Sequence, residues 1–128
     1  MRILVVEDEL LIGLDMEYVL RSLGYEVAGP VTNAADARKL GATVDIALVD
    51  VNLSDGPTGP TSAAYLRQTH GVTIIFTTAN PEAVIANSDA IGVLSKPVSA
   101  SDLLSAIEYA IACRKGEPAV APTCLKHA

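Results

Sequence analysis

Short apolar runs alternate along the chain with longer segments in which apolar residues recur at helical spacing. The runs consist mainly of β-branched and aliphatic residues without strict alternation, which is typical of strands buried on both faces of a parallel sheet. We predict five strands, near residues 2–6, 25–28, 45–49, 72–77 and 91–94. The pattern therefore indicates a chain built from repeated strand-helix units.

Helical patterns fill the gaps between the predicted strands. We place helices over about residues 9–23, 33–41, 60–69 and 99–115, and a short, weak one after Pro81. Gly24 can end the first helix in a left-handed conformation, and Asn33 is a good N-cap for the second. Either Ser99 or Ser101 can begin the last helix.

Five such units with right-handed crossovers place helices on both faces of the sheet. The expected fold is α/β: a doubly wound, flavodoxin-like, five-stranded parallel sheet, for which the strand order 2-1-3-4-5 is one common solution. We expect one domain over residues 1–115. Residues 116–128 are rich in Pro and Ala, and we expect them to form a loose tail.

Chemically useful residues stand where four of the apolar runs end. They are Glu7, Asp8, Asp50, Thr78 and Lys96. The carboxyl ends of parallel strands meet at one edge of the sheet, which is where such folds bind ligands. Three carboxylates suit a divalent cation that activates an aspartate, while a hydroxyl and an amine suit the phosphoryl group placed on that aspartate.

Composition and hydropathy argue against two classes of partner, nucleic acids and membranes. The 128 residues include 15 acidic and 9 basic side chains, a formal net charge of −6 without a Lys/Arg cluster, which argues against nucleic acid as a partner. No apolar stretch approaches the roughly 18 residues of a membrane span, and no signal peptide precedes the first strand, so we expect a cytoplasmic protein with no membrane partner. Cys113 and Cys124 are expected to be free thiols.

The motifs VVEDE, LVDVNLSDG, FTTA and SKP, in this order and each at a predicted strand end, resemble the receiver domains of two-component response regulators. The resemblance covers nearly the whole ordered length. It implies a stand-alone response regulator that takes a phosphoryl group from the phosphohistidine of a histidine kinase or histidine phosphotransferase. The regulator then signals to an unknown downstream protein. We expect no turnover of an external substrate, and so no enzyme in that sense.

The acidic residues are predicted to form a magnesium site. A hard cation relieves the repulsion between neighbouring carboxylates and accepts their oxygens as ligands. Asp8 and Asp50 are the expected direct ligands, and Glu7 holds a metal-bound water or orients the site. The family pattern adds the backbone carbonyl of Asn52.

Phosphoryl transfer depends on positioning and on charge stabilisation. We expect Asp50 to be the phosphoacceptor, while Thr78 and Lys96 neutralise the phosphoryl oxygens beside Mg²⁺. Lys96 is expected to pair with Asp50 before phosphorylation and with phosphate afterwards. The resemblance further implies a cis peptide bond between Lys96 and Pro97.

Each assignment has an alternative. Glu7 and Asp8 could be an ordinary acidic pair at a helix N-terminus. Asp45 and Asp55 compete with Asp50, but Asp45 precedes its strand, and Asp55 before glycine is common turn chemistry. Thr77 competes with Thr78, although alternation along the strand should turn it to the other face of the sheet.

Two rival functions remain. A receiver fold could serve as an interaction module that binds partners without being phosphorylated. An aspartyl-phosphate phosphohydrolase would usually need a second carboxylate two residues beyond the nucleophile as a general acid, and this chain has Asn52 there, so that alternative is weak.

The first predicted helix carries two apolar stripes. Ile12, Met16, Val19, Leu20 and Leu23 should face the sheet. Leu11, Leu14 and Tyr18 form the second stripe, which could either pack against a neighbouring element or bind the helical bundle of a partner that bears the donor histidine.

The output mechanism departs from the family pattern. Val93 stands three residues before Lys96, where related receivers typically have a Tyr or Phe that swings inward on phosphorylation. The segment between Thr78 and Lys96 is also short for a fully formed fourth helix. We therefore expect residues 80–90 to respond by local ordering rather than by rotation of an aromatic ring.

Overall fold

The computed structural model describes residues 1–127, which contain six strands and four α-helices. The strands are β1 (Arg2–Val6), β2 (Glu26–Val31), β3 (Ile46–Asp50), β4 (Thr73–Thr78), β5 (Ala90–Ser95) and β6 (Leu125–Lys126). The helices are α1 (Leu10–Ser22), α2 (Ala34–Leu40), α3 (Gly59–His70) and α4 (Ala100–Lys115). Two single 3₁₀ turns, Gly41–Thr43 and Pro81–Ala83, complete the regular structure of these residues.

All six strands belong to one sheet with the order β2-β1-β3-β4-β5-β6. The first five are parallel in the predicted order 2-1-3-4-5, which confirms the doubly wound, flavodoxin-like fold. The prediction of five strands was wrong by one, because β6 adds an antiparallel strand beside β5.

Within residues 116–127 the sixth strand corrects the expectation that residues 116–128 form a loose tail, and residue 128 lies outside the described residues. Leu125 is only 7% exposed, so it leaves the solvent by packing on the sheet. Backbone pairing with β5 gives its own polar groups partners at an edge that would otherwise be open. A strand of two residues carries no periodic pattern, which is why the sequence did not predict it.

The core has two layers, one on each face of the sheet. Phe76 and Leu66 are fully buried on the face covered by α2 and α3, while Leu20 and Ile107 are fully buried on the face covered by α1 and α4. Every residue of β3 is buried. A central strand buried on both faces explains the continuous apolar runs from which the strands were predicted.

The predicted helix ends are confirmed. The Asn33 side chain accepts a hydrogen bond of 2.9 Å from the backbone N–H of Asp36, and Ser99, rather than Ser101, caps α4. Gly24 has a φ of +91°, the left-handed conformation expected at the end of α1. Local sequence was therefore sufficient to set these boundaries.

The segment between β4 and β5 contains less helix than predicted. The weak helix expected after Pro81 is a single 3₁₀ turn, Pro81–Ala83. Val84 anchors this segment in the core, whereas the next residue, Ile85, is about half exposed. This face of the sheet is therefore covered beside β5 by a short irregular segment.

No helix within residues 1–127 is both long enough and apolar enough to cross a bilayer.

Candidate functional site

The strand order brings three carboxylates together at the carboxyl edge of the sheet. Glu7 follows β1 directly and Asp50 is the last residue of β3, its neighbour. Glu7, Asp8 and Asp50 each offer a carboxylate oxygen within 4.8 Å of the others. Glu7 and Asp50 are buried, whereas Asp8 is exposed at the rim. An ordinary acidic pair at the start of α1 would not require this convergence with Asp50.

Lys96 bridges the two buried carboxylates. Its Nζ lies 2.6 Å from Oε1 of Glu7 and donates a hydrogen bond of 2.9 Å to Oδ2 of Asp50. Its backbone N–H donates to the carbonyl of Thr78, so the end of β5 is held against the end of β4. The Lys96-Pro97 peptide bond is cis, as the resemblance implied.

These contacts shift the pKa values of Glu7, Asp50 and Lys96, which together form a buried triad. Burial, and then a hydrogen bond shared with Asp50, raise the pKa of Glu7 to about 7. Burial acts to raise the pKa of Asp50 as well, but hydrogen bonds from Glu7 and Lys96 outweigh it, and the net shift is downward. Burial likewise acts to lower the pKa of Lys96, and the two carboxylates outweigh it. At neutral pH Asp50 is therefore an anion, as a nucleophile must be.

Glu7 has a buried oxygen without a full set of partners. Its Oε2 accepts a hydrogen bond of 3.2 Å from the backbone N–H of Glu9. Oε1 lies close to Lys96 Nζ, but that ion pair does not have hydrogen-bond geometry. An incompletely satisfied carboxylate beside two others is a donor set that suits a hard, oxygen-seeking cation, so these residues fit Mg²⁺.

The triad opens into a small cavity of about 200 Å³. The predicted site residues that line it are Asp8, Asp50, Asn52, Thr78 and Lys96, and Glu9, Ala79 and Asn80 complete the lining. Asn52 is placed by a long backbone hydrogen bond of 3.4 Å to Asp50 Oδ1. Five residues predicted from four separate segments therefore share one cavity, which adjoins Glu7.

The two adjacent threonines have different environments. The Thr78 hydroxyl accepts a hydrogen bond of 3.1 Å from the backbone N–H of Asn80 and lines the cavity. Thr77 is buried and does not contribute to the lining. Thr78 is thus the threonine placed to meet a group on Asp50.

The competing aspartates lie elsewhere. Asp45 accepts a hydrogen bond of 2.9 Å from the backbone N–H of Arg2 at the start of β1, which puts it at the opposite edge of the sheet. Asp55 lies in the turn that follows Asp50, as expected, but it also has a tertiary role. Its Oδ2 accepts a hydrogen bond of 3.1 Å from the backbone N–H of Ala34 at the start of α2. The turn chemistry was visible in the sequence, whereas this bond to α2 was not.

Gly59 is a site residue that sequence reasoning missed. It begins α3 and its N–H donates to the carbonyl of Val51 at 3.0 Å. A Cβ at this position would lie 2.7 Å from Val51 Cα and would also clash with the carbonyl oxygen of Asp50. Only a glycine lets α3 approach the end of β3 this closely. Nothing in the local sequence indicates that close approach.

The second stripe of α1 is open to solvent. Leu11 is 82% exposed and Tyr18 is 73% exposed, and Leu14 is also exposed. These residues therefore do not pack against a neighbouring element within residues 1–127. Leu11 also lines an apolar cavity of about 510 Å³ between α1 and the turn after β5, which includes Lys96 and Pro97. One residue of the open stripe, Leu11, therefore borders the cavity that Lys96 also lines.

A core residue, Val93, occupies the position of the usual aromatic switch residue. Val93 is fully buried in the cluster that contains Phe76 and Val84. It has no ring that could rotate between solvent and the site.

Comparison with known proteins decides the family. The model of the response regulator receiver domain matches residues 3–108. The chain belongs to the response regulator receiver family. It is also similar to a curated relative, the phyllosphere-induced regulator PhyR of Methylorubrum extorquens, with 30% identity over 114 residues. A second, the transcriptional regulatory protein PdtaR of Mycobacterium tuberculosis, is 31% identical over 116 residues.

The matched regions cover 85% and 86% of this chain but only 43% and 56% of PhyR and PdtaR, so the chain spans about half the length of these relatives. Solved receiver domains match over nearly their whole length. The signal receiver domain of a modulated diguanylate cyclase from Desulfovibrio desulfuricans has a TM-score of 0.79 and 34% identity, with coverage of 91% of this chain and 98% of that one. The receiver domain of Erythrobacter litoralis PhyR has a TM-score of 0.82 and 28% identity, with coverage of 93% and 95%. The region that this chain shares with these proteins is thus a response regulator receiver domain.

Proposed function

We propose that this receiver accepts a phosphoryl group on Asp50 from the phosphohistidine of a histidine kinase or histidine phosphotransferase, in a reaction that requires Mg²⁺. One observation carries the proposal: Lys96 bridges Glu7 and Asp50 at the opening of a cavity that Asp8, Asn52 and Thr78 also line. This arrangement supplies a nucleophile, a cation and a hydroxyl in one small space.

The chemistry needs a carboxylate anion that can reach phosphorus. An oxygen of Asp50 forms the new O–P bond while the P–N bond to histidine breaks and its electron pair leaves on the imidazole nitrogen. Lys96 Nζ, which lies 2.9 Å from Asp50 before transfer, then pairs with a phosphoryl oxygen. The Thr78 hydroxyl donates a hydrogen bond to another phosphoryl oxygen. Bound Mg²⁺ would supply further neutralisation of those oxygens, held by Asp8, Asp50 and the Asn52 carbonyl, with Glu7 orienting the site.

The open stripe of α1, made of Leu11, Leu14 and Tyr18, is the proposed contact for the phosphodonor. A donor histidine must reach Asp50 along the line of the breaking bond, so its helical bundle has to rest on a surface beside the cavity. The stripe is apolar and exposed, and it adjoins the cavity that contains Lys96. A downstream protein, not identified by this structure, would read the phosphorylated state.

A second function is favoured by Val93. Because a buried valine occupies the position of the aromatic switch, the same fold could bind partners without a phosphorylation-dependent change. In that case the exposed α1 stripe would still bind a partner. The three carboxylates Glu7, Asp8 and Asp50 would then have no role in signal output.

Incubation with acetyl phosphate and Mg²⁺, followed by intact-mass measurement, tests the proposal without knowledge of the donor. We expect the mass of one phosphoryl group on the wild-type protein and none on Asp50→Asn. Asp45→Asn is the matched control, because Asp45 lies at the other edge of the sheet, and it should be labelled normally. Equal labelling of Asp50→Asn would overturn the assignment. An unlabelled wild-type protein would favour the interaction module.

A further inference from the structure

The tail after α4 folds back along the helix that it follows. Tail and helix line a groove of about 300 Å³, formed by Ser105, Glu108, Tyr109, Ala119, Val120 and Pro122. Cys124 Sγ lies 3.8 Å from the carbonyl oxygen of Asp102, in the first turn of α4. The tail therefore runs from the end of α4 back to its beginning before it joins the edge of the sheet.

Leu125 is the residue that anchors this tail. It pairs with Leu94, and Lys126 pairs with Val93, in the short antiparallel ladder between β5 and β6. The Leu125 side chain lies over Gly92: a Cβ built on Gly92 would be 2.7 Å from Leu125 Cδ1 and closer still to Cγ. Gly92 and Leu94 point to the same face of the strand and together form a leucine seat. Any side chain at position 92 would block that seat.

The connection that precedes this anchor is exposed. Residues 117–120 are exposed, with Val120 at 93%, so the connection between α4 and β6 has few contacts. β6 pairs with two of the six residues of β5, and the rest of that outer edge has no strand partner within residues 1–127. A strand edge with unpaired backbone groups readily accepts another strand.

The segment known to fit the leucine seat is present in every copy of this chain. If the tail of a second copy took the seat, it would make the same ladder and bury the same leucine, so exchange keeps these contacts unchanged. We propose that the leucine seat of Gly92 and Leu94 is a docking site for residues 122–127 of a second copy, which joins two receivers by exchange of their tails. Because each copy has a formal net charge of −6, the exchange is favoured when salt screens their repulsion.

Two complementary variants test this directly. Gly92→Ala blocks the seat but keeps the tail, whereas Leu125→Asp keeps the seat but disables the tail. Each variant alone should be a monomer by light scattering after size exclusion at high micromolar concentration in moderate salt. An equimolar mixture should contain a species of twice the monomer mass, since the tail of the first variant can enter the seat of the second.

Val120→Asp is the matched control, because Val120 belongs to the same tail but is exposed. It keeps both the seat and the tail, so alone it should form the same exchanged dimer as the wild-type protein. Circular dichroism establishes that every variant is folded. A mixture of Gly92→Ala and Leu125→Asp that stays monomeric overturns the proposal.

A second measurement needs only the variant Leu125→Asp. A synthetic peptide of residues 120–127 should slow hydrogen exchange of the β5 amides by at least tenfold at saturation, and the same peptide with Asp in place of its leucine should not. An unprotected β5 overturns the proposal, because a seat that accepts no free segment cannot accept that of a second copy. Peptide binding without dimer formation in the mixture also overturns tail exchange, since the seat would then take only free segments.

Discussion

Gly59 at the start of α3 lies directly against the backbone carbonyl of Asp50, too close to leave room for a Cβ. The helix that follows the acceptor strand is thus packed on the strand's last residue. The position of the proposed nucleophile consequently depends on a glycine nine residues further along the chain.

We expect Gly59→Ala to move the end of β3 away from α3. Overpacking of this kind costs about 1–3 kcal/mol, so the free energy of unfolding in urea should fall by that amount, and acetyl phosphate labelling should slow. Thr61→Ala, at an exposed position of the same helix, should stay within about 0.5 kcal/mol of wild type. If Gly59→Ala unfolds and is labelled like wild type, the close approach does not position Asp50.

Loss of the positive charge of Lys96 should destabilise the protein in the absence of metal. In Lys96→Met the buried carboxylates of Glu7 and Asp50 lose their ion-pair partner, which costs about 3–5 kcal/mol in comparable buried pairs. Urea unfolding in the presence of a chelator measures this loss, and Mg²⁺ should restore part of it. Lys39→Met removes an exposed ion pair and should change the stability little. Equal stability of the two variants would show that Lys96 does not compensate the buried charge.

Asp8→Asn should weaken Mg²⁺ binding. The parent protein is expected to bind Mg²⁺ weakly in the absence of phosphate, and the substitution removes both a ligand and a balancing charge. We expect the dissociation constant to rise by roughly tenfold or more in a calorimetric titration. Asp15→Asn, on the exposed side of α1, is the control and should bind normally. A normal dissociation constant for Asp8→Asn would exclude Asp8 as a ligand.

The response to phosphorylation should be concentrated in residues 80–90. Val93 has no ring that could rotate, so the signal has to pass through Thr78. Its hydroxyl now accepts a hydrogen bond from the backbone N–H of Asn80, and a new hydrogen bond from that hydroxyl to a phosphoryl oxygen would alter this contact at the start of the segment. Beryllofluoride, a phosphoryl mimic, should slow amide exchange there, whereas Thr78→Ala should lose this effect and still be labelled by acetyl phosphate. Changes confined to the metal ligands would instead favour a module that does not switch.

Substitutions in the open stripe of α1 should slow phosphoryl transfer from a protein donor but not labelling by acetyl phosphate. Leu11→Asp places a charge in the proposed contact without touching the triad, so transfer from a phosphorylated histidine phosphotransferase should slow by tenfold or more. Labelling by acetyl phosphate should remain at the wild-type rate. Val120→Asp introduces the same charge on the tail and should affect neither reaction. If Leu11→Asp receives phosphate from the protein donor at the wild-type rate, the stripe is not the donor contact.

The sequence alone was sufficient for five parallel strands and most helix ends, and the order 2-1-3-4-5, one common solution for such a chain, was confirmed by the structure. Short continuous runs of β-branched and aliphatic residues that alternate with helical patterns are typical of strands covered on both faces. Residues such as Asn33 and Gly24 act on their immediate neighbours, so their effect can be predicted locally. The gathering of Glu7, Asp50 and Lys96 followed from topology, since the carboxyl ends of parallel strands share one edge.

Only the tertiary structure decided the contacts between residues distant in the chain. The bond from Ala34 to Asp55, the close approach of Gly59 to Asp50 and the seating of Leu125 on Gly92 each join separate elements. A glycine or an aspartate has the same local preferences wherever it stands, and its partner is set by how helices and strands pack. The tail shows this most clearly: its two-residue strand has no pattern of its own, and it exists because β5 presents an open edge and a recess that fits one leucine.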